Sequence, residues 1–112
     1  MFKSCLLACT IHVTDISLTR SGKSLYESFD YVFKGGKITS ILGPSGCGKT
    51  SLLHIISSLL KPQSGSVNLS CSVEKNHSVM DIKPSYLFQE HRLLPWHTAE
   101  KNISLILEGR QT

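Results

Sequence analysis

The sequence predicts an α/β fold in which an antiparallel β layer precedes a unit of strand, glycine-rich loop and helix. Two observations lead to this prediction. Residues 10–33 contain two stretches in which apolar and polar side chains alternate around a turn signal, which is typical of a hairpin. Residues 37–60 place a short apolar run, a loop with three glycines and an amphipathic run in succession. This order is typical of a buried strand that delivers a loop to the start of a helix.

The antiparallel layer is predicted from two strands and two turns. Residues 10–18 alternate apolar and polar side chains, with one slip at Asp15 that indicates a β-bulge. Residues 21–23 form a turn signal, and residues 25–33 carry alternating aromatic side chains. The glycine pair within residues 34–37 predicts a tight turn into the next strand.

Two short apolar runs are predicted to be buried core strands. The first is residues 37–42, directly before the glycine-rich loop, and the second is residues 85–88, directly after Pro84. Between them, residues 64–70 predict a turn followed by a short strand, and residues 71–84 predict a loop with little regular structure.

Two helices are predicted. The first covers residues 51–60 and ends before Pro62, because its apolar side chains recur with helical spacing at Leu52, Leu53, Ile55, Ile56, Leu59 and Leu60. His54 in this run is interpreted as an ordinary surface or core histidine. The second helix runs from Ala99 to about residue 107, with Thr98 as its N-cap and Gly109 as its stop signal.

Length and composition indicate one globular domain. The chain has 112 residues, of which 40% are hydrophobic and 18% charged. Its net charge of +4 comes from scattered Lys and Arg residues, so no nucleic-acid partner is predicted. No apolar run approaches the roughly 18 residues that would indicate a membrane-spanning helix.

The four cysteines are Cys5, Cys9, Cys47 and Cys71. They include no C-x-x-C pair, and no histidine spacing suggests zinc. All four are predicted to be reduced thiols of a cytosolic protein. A disulfide between Cys5 and Cys9 is the alternative.

Residues 43–50 read GPSGCGKT and fit the phosphate-binding loop of nucleoside triphosphatases. Glycines allow several backbone N–H groups to surround one phosphate chain, and the following helix directs its positive end to the same place. Lys49 adds a point charge, and the hydroxyl of Thr50 is a suitable Mg²⁺ ligand. The predicted nucleotide-contacting set is Gly43, Pro44, Ser45, Gly46, Cys47, Gly48, Lys49, Thr50 and Ser51.

With its flanks, this motif resembles the ATP-binding subunit of ABC transporters, which contains a P-loop NTPase core. The resemblance is carried, in the family's order, by residues 41–53, 60–67, 86–90 and 92–96, the last followed by Ala99-Glu100-Lys101-Asn102-Ile103. The Leu-Leu-Pro-Trp stretch is similar to importers of the nitrate, sulfonate, taurine and thiamine-precursor group. Such an importer couples ATP binding and hydrolysis to solute uptake.

The resemblance implies the domain organisation and the cofactors. Residues 11–112 would be the N-terminal part of an ABC-type ATP-binding domain, truncated after the Q-loop region, and residues 1–10 an extension or lead-in. The P-loop core would therefore be incomplete. ATP and Mg²⁺ would be the cofactors, with Thr50 and Gln89 as metal ligands, Gln89 being the Q-loop glutamine.

The resemblance also implies partners and a location. A membrane-spanning permease would contact about residues 90–96, and a second ATP-binding subunit would complete a homodimer. The chain would lie in the cytoplasm, on the inner face of the membrane.

The chain departs from the family's pattern at two points. The family has an aromatic residue that stacks on adenine, and the corresponding position in this chain is at or near Arg20. Tyr26 could take that place only after a register change, so no adenine-stacking residue is assigned. The signature motif, the acidic residues of Walker B and the switch histidine are missing from the sequence. The catalytic residues are therefore unknown, since neither His91 nor His97 is assigned as a general base.

Two alternatives remain open. One is a truncated, non-catalytic fragment that binds nucleotide or only its partners. The other is a different P-loop enzyme, although the sequence has no Asn-Lys-x-Asp motif of a GTPase and too few arginines for a kinase lid.

Overall fold

The computed structural model describes residues 8–72 and 84–108. These residues form a three-stranded antiparallel sheet and two helices. In chain order, the elements are β1 (Ala8–Arg20), β2 (Lys23–Phe33), α1 (Lys49–Ile56), β3 (Ser64–Ser72) and α2 (Ala99–Glu108). The central strand of the sheet is β1, because the strand order is β2-β1-β3. The structure thus confirms the α/β class and the predicted antiparallel layer.

A bulge interrupts β1 at the position that the sequence indicated. The pairing with β2 shifts register between Val13 and Ile16, and Asp15 between them has a positive φ of 52°. The side chain of Asp30 on β2 accepts a hydrogen bond of 2.8 Å from the backbone N–H of Asp15. Because strand side chains alternate between faces, Val13 and Ile16 would otherwise lie on opposite faces. The bulge allows both of them to enter the core.

The core lies between the sheet and α1. Val13, Ile16 and Leu18 of β1 are buried together with Ile55 of α1. Partly buried side chains extend this cluster, namely Ile11, Leu25, Tyr26, Phe29, Phe33, Ile56, Leu60 and Val67. This packing fixes the position of α1 on the sheet, and therefore the position of the loop that precedes α1.

The two predicted core strands are absent from the described part of the chain, so both predictions were wrong. Residues 37–42 form no strand, and the side chains of Ile38 and Leu42 are 99% and 90% exposed. Residues 85–88 also form no strand, and Leu87 is 97% exposed. A strand needs a neighbour to pair its backbone groups, and neither segment joins the ladders of β1 with β2 and β3.

The first helix is shorter than predicted, because α1 ends at Ile56 and not at residue 60. The hydroxyl of Ser57 donates hydrogen bonds to the carbonyl oxygens of Leu53 and His54, at 2.8 and 3.2 Å. Ser58 then adopts a positive φ of 63°. A serine hydroxyl competes with backbone N–H groups for helical carbonyl oxygens, which favours the end of a helix. The prediction used only the apolar periodicity, which continues to residue 60, and therefore placed the end too late.

The second helix has the predicted cap. The hydroxyl oxygen of Thr98 accepts a hydrogen bond of 3.2 Å from the backbone N–H of Lys101. One turn into α2, the side chain of Asn102 accepts from the N–H of Leu94 at 2.8 Å and donates to carbonyl oxygens of Leu94, His97 and Thr98. The segment before α2 is thereby held against the first turn of the helix.

The prediction that all four cysteines are reduced was wrong for two of them. Cys9 of β1 and Cys71 of β3 form a disulfide, with their Cα atoms 4.0 Å apart. They are direct cross-strand partners in the antiparallel ladder, which brings their side chains close together. Cys47 is a free thiol, as predicted. Cys5 lies outside the described residues.

Some predictions fall partly or wholly outside the described residues. The loop predicted at residues 71–84 is not described over residues 73–83, and Gly109 is also outside. The predicted lead-in, residues 1–10, overlaps the structure because β1 begins at Ala8. In the two described ranges, no helix is long and apolar enough to cross a membrane.

The disulfide is expected to stabilise the sheet. The disulfide joins two residues that are 62 positions apart in the sequence. Such a cross-link restricts the unfolded chain and typically stabilises the folded state by about 2–4 kcal/mol. Replacement of Cys71 by Ser should lower the free energy of unfolding in urea by that amount. Cys47→Ser is the matched control, and its denaturation curve should be unchanged. If dithiothreitol leaves the wild-type denaturation midpoint where it was, this expectation fails.

Candidate phosphate-binding site

The phosphate-binding loop (residues 43–50) connects an irregular segment to α1. The N–H of Cys47 donates to the carbonyl oxygen of Pro44 at 3.3 Å and closes a turn. Gly46 and Gly48 have positive φ angles of 78° and 103°, which residues with a side chain rarely adopt. The loop can therefore curve so that successive backbone N–H groups face one side, the arrangement that binds anions.

Gly48 is the N-cap of α1. Its carbonyl oxygen accepts the first helical hydrogen bond, from the N–H of Leu52 at 2.9 Å. The N–H groups of the first turn of a helix have no partner within the helix, and the helix dipole adds partial positive charge there. The end of the loop and the beginning of α1 thus supply donors at the same point.

The ammonium group of Lys49 lies across the loop. Its Nζ donates to the carbonyl oxygens of Gly43 at 2.6 Å and of Pro44 at 2.8 Å, and it lies 3.7 Å from the Sγ of Cys47. Carbonyl oxygens are neutral acceptors, so they hold the ammonium group in place without neutralising its charge. The positive charge is available to an anion that enters the loop.

The loop opens into a cavity of about 680 Å³. Its lining brings most of the predicted site residues together with residues of the β1–β2 turn, namely Arg20, Ser21, Lys23, Leu25, Ser45, Gly46, Gly48, Lys49, Thr50, Ser51 and Gln89. The two predicted metal ligands, Thr50 and Gln89, therefore lie on one cavity. Gly43, Pro44 and Cys47 belong to the loop but do not line the cavity.

Arg20 also lines this cavity, although the sequence left its role open. Its Nη1 donates to the hydroxyl of Ser51 at 3.3 Å. Ser51 is only 4% exposed, so the hydroxyl offers the guanidinium a fixed partner in the first turn of α1. A charged side chain at the end of β1 is thus held beside the loop.

Tyr26 supports the loop from β2. Its hydroxyl donates to the carbonyl oxygen of Gly48 at 2.9 Å. Burial raises the pKa of Tyr26 above its ordinary value, and the neighbouring Cys47 raises it further. The hydroxyl is therefore protonated, and a donor, at neutral pH. From the sequence, Tyr26 was considered only as an aromatic ring that could stack on adenine. No local pattern indicates that its hydroxyl bonds to the carbonyl of Gly48, which is 22 residues away.

The two histidines that follow Gln89, His91 and His97, do not line the cavity. Neither is therefore assigned as a general base. His91 is exposed and His97 is half-buried. Nor do the described residues contain a group of three or more His, Cys, Asp or Glu side chains that could hold a metal ion.

Comparison with known proteins identifies a family for this fold and site. Residues 26–112 match the family model described as ABC transporter. The aliphatic sulfonates import ATP-binding protein SsuB of Bacillus subtilis is 34% identical over 100 residues, which is 88% of this chain and 38% of that protein. The thiamine import ATP-binding protein ThiQ of Photobacterium profundum is 43% identical over 83 residues, or 74% of this chain and 34% of that protein.

A third relative extends the match towards the N-terminus. The sulfate/thiosulfate import ATP-binding protein CysA of Synechococcus elongatus is 34% identical over 104 residues, which is 93% of this chain. The alignment covers 30% of that protein. The chain thus spans about a third of the length of the curated relatives that it matches.

Substitution at Gly48 is expected to disturb the loop more than the same substitution in an open turn. A Cβ at Gly48 would lie 3.0 Å from the Tyr26 ring at a φ of 103°, whereas a Cβ at Gly36, with a φ of 73°, would meet nothing within 4 Å. Both alanine variants carry left-handed strain of about 1–2 kcal/mol, and Gly48→Ala adds a collision. Thermal denaturation should show the larger loss for Gly48→Ala. Equal losses would mean that the Tyr26 contact is unimportant.

Proposed function

Since this chain belongs to the ABC transporter family, we propose that it binds ATP as part of the ATP-binding subunit of an importer. In such a subunit, ATP binding and hydrolysis drive solute uptake across the membrane. The observation that supports this proposal is the phosphate-binding loop itself, with Lys49 held over it and an open cavity beside it. An importer is favoured because the relatives are named as import ATP-binding proteins for aliphatic sulfonates, thiamine and sulfate/thiosulfate.

A triphosphate suits this cavity. The N–H groups at the start of α1 are fixed donors for phosphate oxygens, and the ammonium group of Lys49 adds a positive charge beside them. Arg20 and Lys23 line the cavity as well, and they add positive charge on the side of the β1–β2 turn. No Asp or Glu is among the lining residues in the described part of the chain, so the cavity favours an anion.

The residues present also suit Mg²⁺ bound together with a triphosphate. Thr50 and Gln89 both line the cavity, and a hydroxyl oxygen and an amide oxygen are both hard ligands. Mg²⁺ retains several waters and takes phosphate oxygens as ligands, so it does not require a complete set of protein groups. When bound, the ion would neutralise the charge of the phosphates, and Thr50 and Gln89 would orient it.

The proposed contact with a membrane-spanning permease is the segment of residues 90–96. Leu93 and Trp96 are 68% and 73% exposed, which makes them available to a partner. Asn102 holds the backbone of this segment through Leu94. Aromatic side chains such as that of Trp96 are enriched in the cores of protein interfaces. In this proposal the chain lies at the cytoplasmic face of the membrane and pairs with a second ATP-binding subunit.

The second candidate function is nucleotide binding without turnover. It is favoured by the cavity lining, which includes no carboxylate or imidazole in the described residues. Fast hydrolysis needs a group that orients or deprotonates the attacking water. Purified chain that hydrolyses ATP in a Lys49-dependent manner would exclude this candidate. Tight binding of Mg-ATP without phosphate release would support it.

Removal of the Lys49 charge should weaken ATP binding. Lys49→Ala deletes a charge-assisted hydrogen bond of about 1.5–3 kcal/mol, so the affinity measured by calorimetry should fall by about tenfold to a hundredfold. Lys61→Ala is the matched control, because Lys61 is an exposed lysine that lines a different cavity. ATP that binds the wild type and Lys49→Ala equally would contradict the proposed function.

Bound ATP should protect Cys47 from alkylation. Cys47 is a half-buried free thiol within the loop, near the Nζ of Lys49. In a Cys5→Ser background, the rate of maleimide labelling at Cys47 should fall severalfold when Mg-ATP is added. The same nucleotide should have no effect in Lys49→Ala. A labelling rate at Cys47 that is the same with and without Mg-ATP would contradict binding of the nucleotide at this loop.

A further inference from the structure

We propose that Tyr26 is a positioning residue for the phosphate chain, and that it acts through the Gly48–Lys49 peptide. This inference rests on the proposed function, because it concerns how the same loop binds its ligand. The hydroxyl of Tyr26 is 2.9 Å from the carbonyl oxygen of Gly48. Tyr26 itself does not line the cavity, so in this proposal it acts on the ligand only through that peptide.

One peptide unit connects the hydroxyl of Tyr26 to the backbone N–H of Lys49. The carbonyl of Gly48 and the N–H of Lys49 belong to the same trans peptide, which is planar, so the two groups point in opposite directions. The carbonyl points towards α1, where Leu52 donates to it at 2.9 Å. The N–H of Lys49 consequently points away from the helix, on the side where the loop surrounds its anion. Whatever fixes the carbonyl also fixes the N–H.

Gly48 needs this additional restraint. Its φ of 103° lies in a region that glycine can enter and leave without steric cost. The helical bond from Leu52 is one restraint on its carbonyl, and the hydroxyl of Tyr26 is the second. The Tyr26 ring also lies 3.0 Å from the point where a Cβ of Gly48 would be. Ring and hydroxyl together limit the rotation of the peptide.

Tyr26 is itself well held. Its ring packs against the buried cluster of β1 and α1 and against Phe29, with ring centroids 5.2 Å apart. On the neighbouring strand its register partner is Leu18. The hydroxyl is therefore presented by a fixed ring, and a donor that is ordered before the ligand arrives loses little freedom on binding.

The test uses the full chain and Tyr26→Phe, which keeps the ring and removes the hydroxyl. Tyr31→Phe is the matched control, because Tyr31 is on the same strand, with its ring stacked on Phe29 and tilted against Phe33. Calorimetry with Mg-ATP and with inorganic tripolyphosphate should show that Tyr26→Phe weakens both ligands by the same factor, about threefold to tenfold. Tyr31→Phe should change neither affinity.

A second measurement separates positioning from packing. In the ligand-free chain, the amide resonance of Lys49 in a ¹⁵N–¹H spectrum should move in Tyr26→Phe and stay in place in Tyr31→Phe, at unchanged thermal midpoints. Wild-type affinity in Tyr26→Phe would overturn the inference. A loss of affinity for ATP alone would also overturn it, because Tyr26 would then act on the adenine base. So would a loss of affinity that accompanies a lower thermal midpoint while the Lys49 amide resonance stays in place.

The outcome also distinguishes this inference from the proposed function. If tripolyphosphate binds the wild type, binding is lost in Lys49→Ala and is unaffected in Tyr26→Phe, the inference alone is overturned. If the wild type binds neither ligand, or Lys49→Ala binds them as well as the wild type, the proposed function and the inference both fail.

Discussion

Ile55 of α1 packs against Val13, Ile16 and Leu18 of β1, and the position of the phosphate-binding loop depends on this contact. The hydrogen bonds of Cys47 and of the Lys49 ammonium group join loop residues to one another, so the loop takes its place on the sheet from the helix that it precedes and from the Tyr26 bond to Gly48. That helix is short, and short helices are stabilised mainly by the burial of one face. The bulge at Asp15 belongs to the same arrangement, because it brings Val13 and Ile16 to one face of the sheet.

Features that depend on neighbouring residues could be predicted from the sequence. The hairpin, the bulge and the cap at Thr98 follow from alternation, from one slip in that alternation and from one hydroxyl before an amphipathic run. The motif of residues 43–50 predicted a loop before a helix, and the structure has both. Local patterns and local structure agree here because the same few residues determine each of them.

Features that depend on distant residues could not be predicted. Apolar runs at residues 37–42 and 85–88 satisfied the pattern of buried strands, yet Ile38 and Leu87 are exposed because pairing is a property of two segments. The pairing of Cys9 with Cys71 depends on the register of β3 against β1, which no spacing within either strand reveals. The hydrogen bond from Tyr26 to Gly48 likewise connects two elements that are 22 residues apart.

The link between Cys9 and Cys71 makes the backbone from β1 to β3 a closed macrocycle that includes the phosphate-binding loop. The segment of residues 90–96 lies outside this ring, on the tail that leads to α2. A single backbone cut between residues 10 and 70 would leave the two pieces covalently joined. One tryptic cut within the ring of the oxidised chain would thus release no fragment on a non-reducing gel, whereas one cut in the tail would release a separate fragment.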